Sequence, residues 1–350
     1  MSELALHSGA YDIKCNGTPL GAAVDIQSIR VTQEVSMPTM FEIVVPTETT
    51  ENAWNGMDFA TFRPGYAISI ALGIGMTKPL VQGAITGIWP DLHSLAGDPN
   101  RSTVTVVGFD DMNQLRFGTR TRSIFGENNT DLDVVEAVVG STKVAYQACS
   151  EAKGVNMPYA LQHNESDYEF LMRLCRQRNY ELFMDSGKLT YRPSAQGRPD
   201  GQAKKLEYRL DFDTCRLELS VPMRGKGAKA LGYDITTGKV VDAQSDSSEK
   251  NGYDWDEGFA DTSVQFERPG EADAEALLDL VNAQYARGVA RFLYGVVRLS
   301  TGDSTLIAGT NVNLTGLGDK YSGLYYIVKA IHKYENNQYD TELEVQRSGI

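Results

Sequence analysis

Between residues 10 and 115 the apolar positions keep mostly to a period of two, the mark of strands with one buried face. Gly17-Thr18-Pro19 marks a first turn. Val24, Ile26, Ile29 and Val31 follow on strand-like spacings, with a change of phase near Ser28 that predicts a bulge. Residues 41–45 form a second strand ended by Pro46, and the polar stretch 47–63 reads as a loop. Residues 65–72 alternate cleanly, 73–79 turn the chain, and 80–88 return it. Residues 103–107 add a further strand before Gly108-Phe109-Asp110-Asp111. Short strands without intervening helices predict an antiparallel barrel or sandwich.

The period changes after residue 116. Thr130 is placed to cap a helix reaching about Val139, with Leu132, Val135, Val138 and Val139 as its apolar positions. The stretch 162–192 then carries a complete set of local signals. Ser166 lies three residues before Glu169, the spacing of a capping box. Phe170, Leu171, Leu174 and Cys175 share one helical face, while Arg173, Arg176, Gln177 and Arg178 are expected to keep the other in water. Asn179 is the stop. Residues 180–184 and 188–192 read as two strands joined by a turn at Asp185-Ser186-Gly187. Together, 116–200 predict a compact α+β insert, closed by a linker-like break at 193–201.

Residues 201–350 return to strands. Candidates are 206–212, 215–221, a hairpin over 229–241 with Thr237-Gly238 at its turn, 292–299, 311–315, 324–332 and 339–345. Residues 242–259 are acidic, polar and expected to be mobile. One helix is predicted over 271–287, with Glu271, Asp273 and Glu275 in its first turns, Arg287 in its last and Gly288 as its stop. A faint echo joins the two β regions. Gly65-x-x-Ile68-x-Ile70 has the spacing of Gly309-x-x-Val312-x-Leu314, and the strand that follows starts at Gly83 in one case and Gly323 in the other.

The order Gln162, Asn164-Glu165-Ser166-Asp167, Phe170-Leu171, Arg173-Leu174 and the hairpin at Asp185-Ser186-Gly187-Lys188-Leu189-Thr190-Tyr191 resembles the late control D family of contractile phages. That family includes the hub part of type VI secretion spike proteins and the hubs of related injection particles. The resemblance is firm at 162–192 and 302–347, fair at 64–115 and weak at 225–265. It implies a mainly β chain with two tail-tube-like antiparallel β-barrel domains, at 1–115 and 201–350, and a small helix–hairpin domain at 116–200. It further implies a homotrimeric baseplate hub that joins the sixfold inner tube to a threefold central spike. The implied partners are copies of the chain itself, a separate spike protein, an inner tube or tube-initiator protein and other baseplate proteins. Nucleic acid enters only as passing cargo. The close at Ile350, with no spike-like module after it, is the reason a separate spike protein is expected.

Composition narrows the chemistry. Hydrophobic residues make up 41% and charged residues 23% of 350, ordinary for a folded chain, and the net charge is −13. That balance argues against phosphate-backbone or anionic-membrane binding as the main task. The start of the chain lacks the basic and apolar regions of a secretory signal, so assembly in a bacterial cytoplasm into a tail or injection-particle baseplate is expected. The four cysteines, Cys15, Cys149, Cys175 and Cys215, are far apart and are expected to be thiols.

No catalytic, cofactor or metal residues are assigned. His7, His93, His163 and His332 have no metal-ligand spacing, and GxSxG is missing. Asp254-Trp255-Asp256-Glu257 lacks the glycine and distal glutamate of a calcium loop. Asp110-Asp111 offers paired carboxylates but sits where a strand ends. Gly73-Ile74-Gly75 before Lys78 has no helix to hold a phosphate, and Arg116, Arg120 and Arg122 form only a short basic run. The chain is therefore expected not to be an enzyme and to carry no cofactor. The alternative is a baseplate-associated cell-wall hydrolase or a glycan-binding β protein.

Overall fold

The computed structural model describes residues 8–20, 24–50, 53–55, 61–93, 102–198, 203–220, 227–234, 237–245, 263–269 and 274–349. The first β region holds β1 (Gly9–Cys15), β2 (Thr18–Pro19), β3 (Ser28–Glu34), β4 (Met40–Pro46), β5 (Glu48–Thr50), β6 (Ala53–Asn55), β7 (Ala67–Ile74), β8 (Met76–Asp91) and β9 (Thr103–Asp110). The insert holds β10 (Arg120–Phe125), α1 (Asp131–Gly140), β11 (Tyr159–Glu165), α2 (Asp167–Arg178), β12 (Tyr180–Asp185) and β13 (Lys188–Pro193). The last region holds β14 (Lys204–Glu207), β15 (Phe212–Leu219), β16 (Gly227–Asp234), β17 (Lys239–Gln244), β18 (Ser263–Pro269), α3 (Ala274–Val289), β19 (Leu293–Leu299), β20 (Asn311–Thr315), β21 (Gly323–Glu335) and β22 (Gln338–Arg347).

Thirteen of these strands form one continuous sheet that curls around two apolar cores. The path runs β15-β19-β22-β21-β3-β4-β9-β8-β7-β1-β2, and β20 and β14 extend from β21. The fold is mainly β, with two tail-tube-like barrels and an α+β insert. Alternation along each strand sends one set of side chains inward. Phe41, Ile43, Ile70, Leu72 and Val106 are fully buried in the first core; Phe212, Val297, Val312, Tyr325 and Leu343 are fully buried in the second. A third cluster, with Val135, Phe170, Leu174 and Leu189, fills the insert. A fourth lies between α3 and the small β17-β16-β18 sheet.

Several local expectations are met. Ser166 accepts a bond from Glu169 N at 3.2 Å while Glu169 accepts one from Ser166 N at 2.8 Å, and Asn179 ends α2 in the left-handed region. Ser166→Ala is expected to cost about 1 kcal/mol in urea unfolding, because one amide of the first turn loses its acceptor.

Others are corrected. The phase change near Ser28 is the start of β3, not a bulge. The 47–63 stretch contains the short β5–β6 ribbon. Gly75 alone makes the β7–β8 turn, so β8 runs sixteen residues from Met76. Residues 206–212 are split by a turn at Arg209, whose φ is 71°, between β14 and β15. Gly288 lies inside α3, not after it. In α1 Val135, Val138 and Val139 are fully buried as expected, but the fourth buried position is Val134, with Leu132 only partly buried. Arg178 is not a solvated residue: it pairs with the buried Asp131 at 2.9 Å. The acidic run at 254–257 and His7 lie outside the described residues. Among the described residues no helix is long and apolar enough to cross a membrane.

Candidate functional site

The join between the two barrels is made by one hairpin. The first part of β21 pairs with β20, from Asn311↔Tyr326 to Leu314↔Gly323. A register shift between Ile327 and Lys329 bends the strand, and its second part pairs with β3 from Lys329↔Glu34 to Glu335↔Ser28. The hairpin tip thus leaves the second barrel and completes the wall of the first. Tyr334 and Tyr339 belong to the first core, Tyr334 meets Tyr11 edge-on at 4.9 Å, and Gly9 N donates to Asn337 O at 2.8 Å.

The same local geometry occurs twice. Gly65 N donates to Ile85 O at 2.8 Å and Ile85 N to Tyr66 O at 3.0 Å; Gly309 N donates to Ile327 O at 2.8 Å and Ile327 N to Thr310 O at 2.9 Å. Both glycines hold positive φ, 92° and 85°, which a residue with a side chain adopts only under strain. A register shift follows each, between Ile85 and Gly87 in β8 and between Ile327 and Lys329 in β21. The duplicated Gly-x-x-apolar-x-apolar spacing therefore marks a repeated structural unit, β3-β4-β7-β8-β9 answering to β15-β19-β20-β21-β22.

The insert is fastened over this join by polar contacts. Tyr168 Oη donates to Ser36 O at 2.9 Å, and Leu182 N donates to Ser36 Oγ at 3.1 Å, just beyond β3. Buried Glu181 accepts from Arg192 Nε at 3.0 Å and from the Tyr326 hydroxyl on β21. Arg192 also donates to Gly309 O at 2.6 Å and lies over the Phe183 ring at 3.7 Å. Desolvation raises the Glu181 pKa, with Arg192 only partly opposing it. Sequence reading did not single out this clamp, although the signal was present. The two-residue turn at Ser186-Gly187 sets the register, and counting back from it places Glu181 opposite Arg192.

The candidate chemical residues serve the fold. Asp110 is buried and caps the short helix after β9, accepting from Met112 N at 3.0 Å and Thr39 N at 2.8 Å. Burial pushes its pKa up to about 6 despite those bonds. Its neighbour Asp111 accepts from Gln114, so the two carboxylates do not converge on one site. Arg120 and Arg122 both pair with Asp167, at 3.4 and 2.7 Å, and Arg116 stands over the Tyr168 ring. His93 lies 3.4 Å from Asp91, and His163 is exposed on β11. The cysteines described are all free thiols. Among the described residues no group of three or more His, Cys, Asp or Glu is placed to hold a metal ion.

His332 is fully buried on β21, with Nδ1 2.8 Å from Tyr339 Oη and 3.2 Å from Thr341 Oγ1. Burial lowers its pKa to about 4. The unfolded chain therefore takes up the proton first as pH falls. The neutral imidazole contributes stability that is complete above the ordinary value near 6.5 and is lost as pH drops toward 4. Between pH 7 and pH 4 the wild type is expected to lose at most about 3 kcal/mol relative to His332→Gln, measured by urea unfolding at each pH.

The family whose model matches the chain is described as Alg8 N-terminal domain, over residues 7–336. It carries a different description from the late control D family that the sequence resembles. No curated protein matches the sequence. Among solved structures, the fold is similar to a 43 kDa tail protein of prophage MuSo2 from Shewanella oneidensis, with a TM-score of 0.70 at 16% identity, covering 97% of this chain and 99% of that one. A tail protein from Neisseria meningitidis gives 0.68 at 10% identity, covering 97% of each chain. An Escherichia coli component of the type VI secretion system, described as structurally similar to the T4 bacteriophage tail proteins gp27 and gp5, gives 0.58 at 13% identity, covering 95% of this chain and 76% of that one. At these identities the likeness establishes a fold shared with phage tail and type VI secretion proteins.

Proposed function

The chain belongs to the Alg8 N-terminal domain family, and we propose that it acts as a structural baseplate hub of a contractile tail or injection particle. The family description states no activity, so the reading rests on the fold. The observation that carries it is the repeated barrel unit within one chain. A sixfold tube meeting a threefold spike needs a part that offers six similar docking surfaces from three molecules, and two equivalent barrels per chain supply that ratio. Tail and type VI secretion proteins of the same fold support the setting.

In this reading the barrels form domains at 1–115 and 201–350, and the insert at 116–200 braces their join. Three copies make a ring whose lumen passes cargo. The ring's neighbours are a spike protein, an inner tube or tube-initiator protein and other baseplate proteins. Assembly takes place in the bacterial cytoplasm. The late control D resemblance belongs to this proposal. The chain works without catalysis, so incubation with peptidoglycan is expected to release no soluble fragments. The direct test is native mass by light scattering, for the chain alone and with its spike protein. A mass of three chains, with or without bound spike, supports the hub. A single chain in both conditions overturns it.

A further inference from the structure

The internal join has a counterpart that the single chain leaves open. Within the chain, the bent second part of β21 covers the edge of β3. Its repeat-equivalent is the end of β8 past the Ile85–Gly87 shift, and the repeat-equivalent of β3 is β15. Yet among the described residues Thr214–Leu219 of β15 pair only with β19, and residues 88–91 of β8 pair only with β9. A tip with no edge and an edge with no tip remain. Within one chain the two do not meet: β15 and the end of β8 are not paired with each other, and five strands or more separate them along the sheet.

We infer that the β8–β9 tip of one copy pairs antiparallel with the β15 edge of a second copy, in the register that β21 and β3 already use. The inference rests on the hub reading and specifies how its copies join. Transferring the register through the two repeats sets Ile88 opposite Leu219, Trp89 opposite Glu218, Pro90 opposite Leu217, Asp91 opposite Arg216 and Leu92 opposite Cys215.

Burial supports this pairing. The inward positions of the internal join, Ala330, His332 and Tyr334, are 0%, 0% and 6% exposed. Their counterparts are Ile88, Pro90 and Leu92. Leu92 is 46% exposed, and Leu219 across the predicted ladder is 41% exposed. Leu92 therefore stands in solvent where its equivalent Tyr334 is covered, and Leu219 offers a second exposed apolar side chain on the other half of the predicted contact. Charge supports it too. The internal join sets Lys333 opposite Arg30, a like-charge pair tolerated because the chain itself holds the strands together. The predicted contact sets Asp91 opposite Arg216, an opposite-charge pair that favours association of separate copies. Pro90 has no amide hydrogen to give, so the ladder draws on the amides beside it. Because each copy offers one tip and one edge, the contact is head-to-tail and closes into a ring.

The test uses Cys215 itself. Antiparallel partners lie about 4.5–5.5 Å apart at Cα, within the reach of a disulfide. In Leu92→Cys, oxidation with copper–phenanthroline is expected to give a ladder of covalently joined chains on a denaturing gel. Peptide mass spectrometry is expected to place the bond between position 92 and Cys215, and adding Cys215→Ser should abolish it. A three-chain native mass without that bond overturns the register and leaves the hub reading standing. A monomer alone and with the spike overturns both. A second pair of variants covers failed assembly of Leu92→Cys. Asp91→Arg and Arg216→Asp, both at exposed side chains, are each expected to weaken assembly about fivefold, and their combination to restore it. Additive weakening in the double variant contradicts the predicted pairing.

Discussion

Leu174→Asp is expected to unfold the insert. Leu174 is 2% exposed and packs in the cluster that joins α1, α2 and the β12–β13 hairpin. Arg178, one turn further along α2, is already held by the buried Asp131, and the cost of burying a further carboxylate exceeds about 4 kcal/mol, more than the helix caps can return. Hydrogen exchange should show α1, α2 and the hairpin losing protection together, with cleavage by trypsin appearing between 120 and 193. Because the insert also ties Ser36, Gly309 and Tyr326 across the join, the barrels should lose some stability without losing their own cores. Unchanged exchange across α2 would show that this helix face does not hold the insert.

Arg192→Ala is the second large effect. It leaves Glu181 buried with its cation gone, and removal of one partner from a buried pair costs about 3–5 kcal/mol. The penalty has a pH signature. Glu181 already has a raised pKa, and losing Arg192 raises it further. The folded variant then binds a proton more readily than the unfolded chain, so the loss shrinks as pH falls and is largest at neutral pH. Glu181→Gln removes the charge and keeps the shape, and is expected to cost only about 1–2 kcal/mol. Urea unfolding of the two variants at pH 7 and pH 5 separates these outcomes. Equal losses for both at both pH values would contradict the ion-pair account.

The stretch 162–192 was legible because its signals are local. A capping box, a left-handed stop and a two-residue turn each act within four residues, so spacing alone placed α2, β12 and β13. The same turn register held the Glu181–Arg192 pair, which needed only counting. The join of β3 to β21 was not legible. It pairs Ser28 with Glu335, and no local pattern encodes a partner some three hundred residues away.

The repeat was faint for a packing reason. Phe41 faces Gly108 in the first barrel, while Gly295 faces Val345 at the matching place in the second. Bulk has moved from one strand to its neighbour, which keeps the core filled and erases the residue match. A Cβ on Gly108 would meet Phe41 at 2.2 Å, so these exchanges are coupled. The turn at Arg209 went unseen because an arginine at positive φ carries no sequence signal of its own. The Gly65 and Gly309 echo survived because the bent connection needs glycine at both places.

In the proposed hub, two equivalent barrels per chain let three chains present six similar docking surfaces. Electron-microscopic averaging of the purified assembly, viewed down its axis, tests this most directly. The expected image is a closed ring of six similar lobes with threefold symmetry, alternating between two slightly different forms. A twofold dimer, or an open chain of paired lobes that never closes, would contradict it.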